Sequence, residues 1–261
     1  MHLCRLVGAT ALAVVLGTSQ AVQPTPRVVL VQPSGPEVPA NLLRLSIGFA
    51  AQVEGPLLPR LSLLRADGMQ VLAPFLEQEL WSRSGKILTV MMHPGRVKTG
   101  LKAHDEKGPI LSIGDDVALA LDGIPIKRWR VGPPDKLGPV ASEWKVLAVR
   151  VKSNQPLVVA LDGPIDGRDA DYLAIADVRD RRVAGRAQLT NGESTWTFTP
   201  TAPWRAGAYK LLVRGNLEDP AGNRLGGHFE TSMYSPPGSP VDAVVPFVVG
   251  DSLSKRLRSR I

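Results

Sequence analysis

Thr195-Trp196-Thr197-Phe198-Thr199-Pro200 sets the fold class. Trp196 and Phe198 share one face of an extended segment and three threonines share the other. Period-two alternation of bulky apolar and β-branched polar residues is the pattern of a half-buried strand. Downstream, Tyr209, Leu211 and Val213 alternate with Lys210 and Arg214. Upstream, Leu157, Val159 and Leu161 form a strand that ends at the Asp162-Gly163-Pro164 turn, and Leu173 and Ile175 form another. Phe229 is placed in a final strand.

The first half repeats the pattern. Leu43, Leu45, Ile47 and Phe49 alternate with Arg44, Ser46 and Gly48. Leu61 and Leu63 run into the Asp67-Gly68 turn before Val71. Leu88 and Val90 follow Ser84-Gly85, and Val117, Leu119 and Leu121 end at Asp122-Gly123. Trp129 and Val131 close the unit. Phe75 to Trp81 is compatible with one helical turn. Laid over each other, Leu43–Phe49 matches Leu157–Leu161, Leu61–Val71 matches Leu173–Val183, Leu88–Val90 matches Trp196–Phe198, and Val117–Leu121 matches Tyr209–Val213. The first half carries extra residues around Leu101 to Gly114. A repeat of roughly a hundred residues, all strands and turns, predicts an all-β chain of tandem β-sandwiches. Only 5% of the 261 residues are aromatic, while Gly (25) and Pro (23) are frequent, which favours short strands and turns over long helices.

The Pro/Gly-rich stretch Val131 to Pro139 is the expected boundary between modules spanning 40–132 and 140–232. Residues 22–39 read as an extended leader in which Val28-Val29-Leu30-Val31 could add a strand. Residues 233–261 read as a Pro-rich linker, a strand Val241–Val249 suited by Pro246 to a sheet edge, and a basic tail. Residues 1–21 have the features of a signal peptide: Arg5, the uncharged apolar run Leu6–Gly17, and small residues in Ser19-Gln20-Ala21, with cleavage expected after Ala21. No other apolar run reaches membrane length, so the mature chain is expected to have no transmembrane segment and to reside in the periplasm, on the cell surface or outside the cell. The single cysteine, Cys4, precedes the expected cleavage site, which leaves no thiol for a disulfide or metal site. Lys255, Arg256, Arg258 and Arg260 place much of the net charge of +7 in the tail.

The second half resembles the bacterial immunoglobulin-like (Ig-like) domain of the surface-layer type. The likeness is carried by Trp196-Thr-Phe-Thr-Pro200, Trp204-Arg-Ala-Gly-Ala-Tyr209 and Leu217-Glu-Asp-Pro-Ala-Gly-Asn-Arg-Leu225, over about Val146 to Thr231. The first half is similar but lacks the Asp-x-x-Gly-Asn turn. The resemblance implies two tandem immunoglobulin-like β-sandwich modules after the signal peptide. It also implies a non-catalytic secreted or envelope role as spacer, adhesive unit or partner-binding domain for an envelope protein or polysaccharide.

The residues offer little chemistry. His93, His104 and His228 lie in three different segments with no metal-ligand spacing. There is no Gly-x-Ser-x-Gly elbow, no phosphate-binding Gly-rich loop with a following Lys, and no cofactor motif. Asp115-Asp116 is a pair in sequence only. Aromatic and basic residues do not interleave as nucleic-acid binding requires, so no nucleic-acid partner is expected. One constellation could bind a metal: Asp162, Asp166, Asp169 and Asp171 place four carboxylates in ten residues, the oxygen ligands Ca²⁺ prefers. Pro164, Arg168 and the missing Glu at the twelfth position depart from an EF-hand loop. The alternative role, a periplasmic metal carrier with a copper-resistance-type sandwich, would call for His near the mature N-terminus. Val22 instead starts a segment without it, and Met91-Met92 stands alone.

Overall fold

The computed structural model describes residues 24–97, 102–227 and 241–250. The expected signal peptide, Phe229 and the basic tail lie outside the described residues. The first half contributes β1 (Val28–Gln32), β2 (Glu37–Pro39), β3 (Arg44–Phe49), β4 (Leu61–Arg65), β5 (Phe75–Trp81), β6 (Ile87–Met92), β7 (Asp116–Leu121) and β8 (Ile124–Gly132). The second contributes β9 (Lys145–Val146), β10 (Leu157–Ala160), β11 (Leu173–Asp177), β12 (Gly185–Thr190), β13 (Thr195–Pro200), β14 (Gly207–Val213) and β15 (Ala243–Val249). Of two short helices, α1 (Pro94–Val97) precedes the extra residues of the first half and α2 (Lys102–Lys107) lies within them.

The sheet orders identify the fold. One sheet of the first half runs β1-β3-β6-β5, and the matching sheet of the second runs β9-β10-β13-β12. The facing sheets run β4-β7-β8 and β11-β14-β15, with β2 added parallel to β8 in the first. A four-strand sheet facing a three-strand sheet in this chain order is the constant-type immunoglobulin sandwich. The two halves also match bond for bond. Val71 N–H donates to Leu63 O and Val183 N–H to Ile175 O, each at 2.8 Å, and Arg65 and Asp177 donate back across equivalent turns to Met69 and Arg181. The pairs aligned in the sequence, β3 with β6 and β4 with β7 against β10 with β13 and β11 with β14, are hydrogen-bonded neighbours in both modules.

Two cores result. Ile47, Leu88, Val90, Leu119 and Trp129 anchor the first, and Leu157, Ile175, Trp196, Trp204 and Leu211 the second. In the second, Trp196 stacks on Phe198 at 5.6 Å, and Trp204 meets Tyr209 edge-on at 5.4 Å. The Tyr209 hydroxyl donates to Arg205 O at 3.1 Å, the back-bond of a tyrosine corner at the start of β14. The β7–β8 hairpin turns through Asp122 and Gly123, both at positive φ (52° and 78°), a conformation open to glycine and tolerated by aspartate.

Phe75–Trp81 is a strand, not a helical turn. The register slips between Phe75 and Glu79, so the segment's alternation is broken where the sequence would have shown it. The Glu79 carboxylate accepts the Leu57 and Leu58 N–H groups and the Trp81 indole N–H, which fixes this strand against the preceding loop. Segments in both flanks of the expected modules join the sheets: β1 pairs with β3, and β15 pairs with β14 over seven residues.

Candidate functional site

The densest concentration of buried polar groups lies where the modules meet. Arg44 opens β3 and is mostly buried. Its guanidinium is paired with Asp166 and Glu218, both of the second module. Burial works to lower the Arg44 pKa, but Asp166 and Glu218 hold it above the ordinary arginine value. Asp166 also accepts from the Arg168 side chain at 3.1 Å, and Glu218 from Arg224 at 3.3 Å.

Two further contacts flank this pair. The β12–β13 hairpin turns through Asn191, Gly192 and Glu193, all at positive φ. It delivers the buried Glu193 carboxylate to the first module, where it accepts Ser34 N–H at 2.7 Å and the Gln32 amide at 3.2 Å. From the other side the Trp129 indole donates to Pro33 O at 2.9 Å and Lys127 to Ser34 O at 2.6 Å. The segment Gln32–Ser34 is thus clamped by both modules.

The third contact is the Asp219-Pro220-Ala221-Gly222-Asn223 turn. Asp219 accepts Asn223 N–H at 2.9 Å and the Asn223 amide at 2.6 Å, while Gly222 takes φ 84°. Pro220 O accepts Leu43 N–H at 3.0 Å, and the Asn223 amide also donates to Asp135 O in the connecting segment at 3.1 Å. Asn41 of the first module grips the same Asp135, donating to its carbonyl at 2.6 Å and accepting its N–H at 2.8 Å. Gly138 N–H to Gly227 O and Gly226 N–H to Pro139 O, each at 2.9 Å, hold the end of the connection. The turn motif was legible in the sequence, but its docking role was not, because its partners Leu43 and Asp135 lie 177 and 88 residues away from Pro220 and Asn223 in sequence.

The four aspartates read as Ca²⁺ ligands take different environments. Asp162 accepts Val140 N–H at 2.8 Å and the Trp144 indole N–H at 2.7 Å. Asp166 belongs to the Arg44 junction. Asp169 accepts Glu218 N–H at 2.8 Å, and burial, reinforced by Asp166, pushes its carboxyl up to about 6. Asp171 is exposed. Among the described residues, no three His, Cys, Asp or Glu side chains gather where they could hold a metal ion. Asp115 and Asp116 pair separately with Arg65 and Arg130. His93 directly precedes α1 and His104 lies in α2, and His228 is outside the described residues.

Two concavities adjoin these elements. A void of about 10 Å³ at the junction, bounded by Gln32, Arg44, Ser46 and Asp166, has room for about one water. A cleft of about 350 Å³ opens between Pro24–Arg27 and Ala50–Glu54, beside Arg60. The Arg60 guanidinium there is committed to Asp122, at 2.6 and 2.9 Å. No described helix is long and apolar enough to cross a membrane.

No protein-family model matches the sequence, and the comparison with curated proteins gives no match. Among solved structures, the chain is similar to the BSP domain of a biofilm-associated protein, at 10% identity over 87% of this chain and a TM-score of 0.26. It spans 29% of that chain. It is also similar to an L,D-transpeptidase from Mycobacterium smegmatis, at 11% identity, 86% of this chain and 73% of that one, TM-score 0.28. Titin domains z1z2 in complex with telethonin match at 10% identity, 88% and 97% coverage, TM-score 0.24. At such values the Ig-like fold rests on strand order and register.

Proposed function

We propose that the chain is an exported, non-catalytic envelope protein whose two Ig-like modules form a spacer of fixed geometry, presenting a binding surface to an envelope protein or polysaccharide. One observation carries the reading: the module junction is built from three separate polar contacts, centred on Arg44 between Asp166 and Glu218. A loosely jointed pair of domains has no use for buried charges spent this way, since inter-domain motion is the default where the interface is small or weakly engaged. The buried carboxylates at the junction, Asp166, Asp169, Glu193 and Asp219, are occupied by donors of the fold itself, which suits a structural role. The resemblance of the second module to surface-layer-type domains supports an envelope setting, and the Ser19-Gln20-Ala21 site supports export with a mature start at Val22.

Small-angle X-ray scattering of the chain tests the spacer. A single rigid envelope is expected, with Arg44→Ala broadening it. Scattering from freely jointed modules in the unaltered protein would overturn the reading. Mass spectrometry of the native protein is expected to find Val22 as the first residue, and an intact Met1 on a cytosolic protein would remove the export component.

A further inference from the structure

The Asp219 carboxylate is 2% exposed, accepts only amide donors of its own turn, and takes part in no ion pair among the described residues. The charged groups around this corner come from four elements. The connecting segment supplies Asp135, a second carboxylate; the turn itself supplies Glu218 and Arg224; β3 supplies Arg44; and the loop before β11 supplies Asp166, Arg168 and Asp169. The three arginines are engaged by Asp166 and Glu218. Asp219 is therefore a buried carboxylate without a cation. Asn223, fully buried, spends its amide on both Asp219 and Asp135 O, and its Oδ1 has no hydrogen-bond partner among the described residues. The turn that grips the connecting segment thus buries a carboxylate whose charge is met by hydrogen bonds alone.

We infer that the Asp219–Asn223 turn is a proton-operated latch between the modules: protonation of Asp219 holds the second module against the connecting segment, and ionisation loosens it. The inference rests on the fixed junction proposed above. Burial raises the Asp219 carboxyl to about 7, with a smaller push from Asp135, against the hydrogen bonds from Asn223 and Ala221, which favour the ion; that is the range in which such a latch would work. The sign follows from linkage. The docked state binds the proton more tightly than an undocked state in which Asp219 meets water, so docking is strongest in mild acid and weakens as pH rises through neutrality. With an ordinary carboxylate value in the undocked state, the undocked fraction rises on the order of 10- to 100-fold between pH 5.5 and 8.

The test uses the whole chain with Cys4→Ser and dye pairs on Met69→Cys and Val178→Cys, which are 65% and 68% exposed in the first and second modules. Single-molecule FRET is expected to give one narrow population at pH 5.5 and a growing second population at pH 8. Asp219→Asn is expected to abolish the pH response. A narrow population at both pH values, or an undiminished response in Asp219→Asn, overturns the latch alone. Broad distributions at both pH values overturn the fixed junction as well. Should Asp219→Asn fail to fold, ¹³C carboxyl NMR of the unsubstituted chain decides. A midpoint near neutrality, shared by the Asn41 and Asp135 amide signals, supports the latch. A midpoint in the ordinary carboxylate range overturns it.

Discussion

Arg44 and Asp166 stand 122 residues apart in sequence and form the central ion pair between the modules, with the Asp166 side chain 5% exposed. Removing one partner of a buried pair leaves the other charge desolvated and uncompensated, which is worth roughly 3–5 kcal/mol when no second partner exists. Asp166 keeps Arg168, so Arg44→Ala is expected to cost about 2–3 kcal/mol in denaturant unfolding. The exposed pair Arg130–Asp116 is the control, and Arg130→Ala is expected to cost less than about 1 kcal/mol. Equal losses at the two sites would show that the junction pair is no more engaged than a surface one.

The aromatic cluster of the second module gives a graded series. Trp204 is 2% exposed and touches Phe198, Tyr209 and Phe247. Trp204→Ala is expected to cost about 3–5 kcal/mol, as truncating a large buried aromatic does. Tyr209→Phe keeps the ring and loses only the bond to Arg205 O, for about 1 kcal/mol. Thermal melts of the whole chain check the order. A Tyr209→Phe loss as large as that of Trp204→Ala would mean the corner hydrogen bond, rather than ring packing, holds β14 in place.

Strand alternation made most of the fold legible. Trp196 and Phe198, Leu211 and Val213, and Leu119 and Leu121 each point into a core, as period-two reading places them. Overlaying the halves also matched equivalent strands, since β3, β4, β6 and β7 take the same places in their sheets as β10, β11, β13 and β14, but which strands pair came only from the structure. Phe75–Trp81 is open to a helical turn in sequence because a register slip removes alternation locally. The junction was not legible at all. Arg44 sits at an ordinary polar position of an alternating strand, and Glu193 in an ordinary turn. What makes them special is a distant partner, and spacing along one chain does not encode that.

The acidic loop yields a prediction for Ca²⁺. An oxygen cage needs several carboxylates converging on one point. Here Asp162 is bonded to Val140 and Trp144, Asp166 to Arg44 and Arg168, and Asp169 to Glu218, while Asp171 is exposed. Recruiting them would break the junction. Millimolar Ca²⁺ is therefore expected to leave the melting temperature unchanged. Saturation at a hundredfold excess over the dissociation constant would add about 2.7 kcal/mol. A rise of that order, reduced by Asp166→Asn, would establish the loop as a cation site.

The pH dependence of global stability separates two groups of carboxylates. Burial raises Asp169 to about 6 and Asp219 to about 7. For both, the folded state binds the proton more tightly than the unfolded chain, so ionisation at neutral pH weighs against folding. Stability is expected to climb as pH falls through 7 and 6, with the gain complete near the unfolded carboxylate range of about 4. Asp122 and Asp177 have the opposite sign. Hydrogen bonds from Arg60 hold Asp122 down to about 2, and those from Arg181 lower Asp177. Their contributions are present above the unfolded value and fade as pH falls from about 4 toward 2. These two are exposed, so their share is small. The melting temperature should therefore peak near pH 4 and fall on both sides. A net gain of about 1 kcal/mol between pH 8 and 5.5 would move it by about 2–4 °C in a chain of this size. Asp219→Asn, which keeps an acceptor without the charge, is expected to raise the melting temperature at pH 8 and flatten the alkaline limb. A melt that falls steadily from pH 8 to 5.5 in the unaltered protein would mean that Asp169 and Asp219 are not buried as ions at neutral pH.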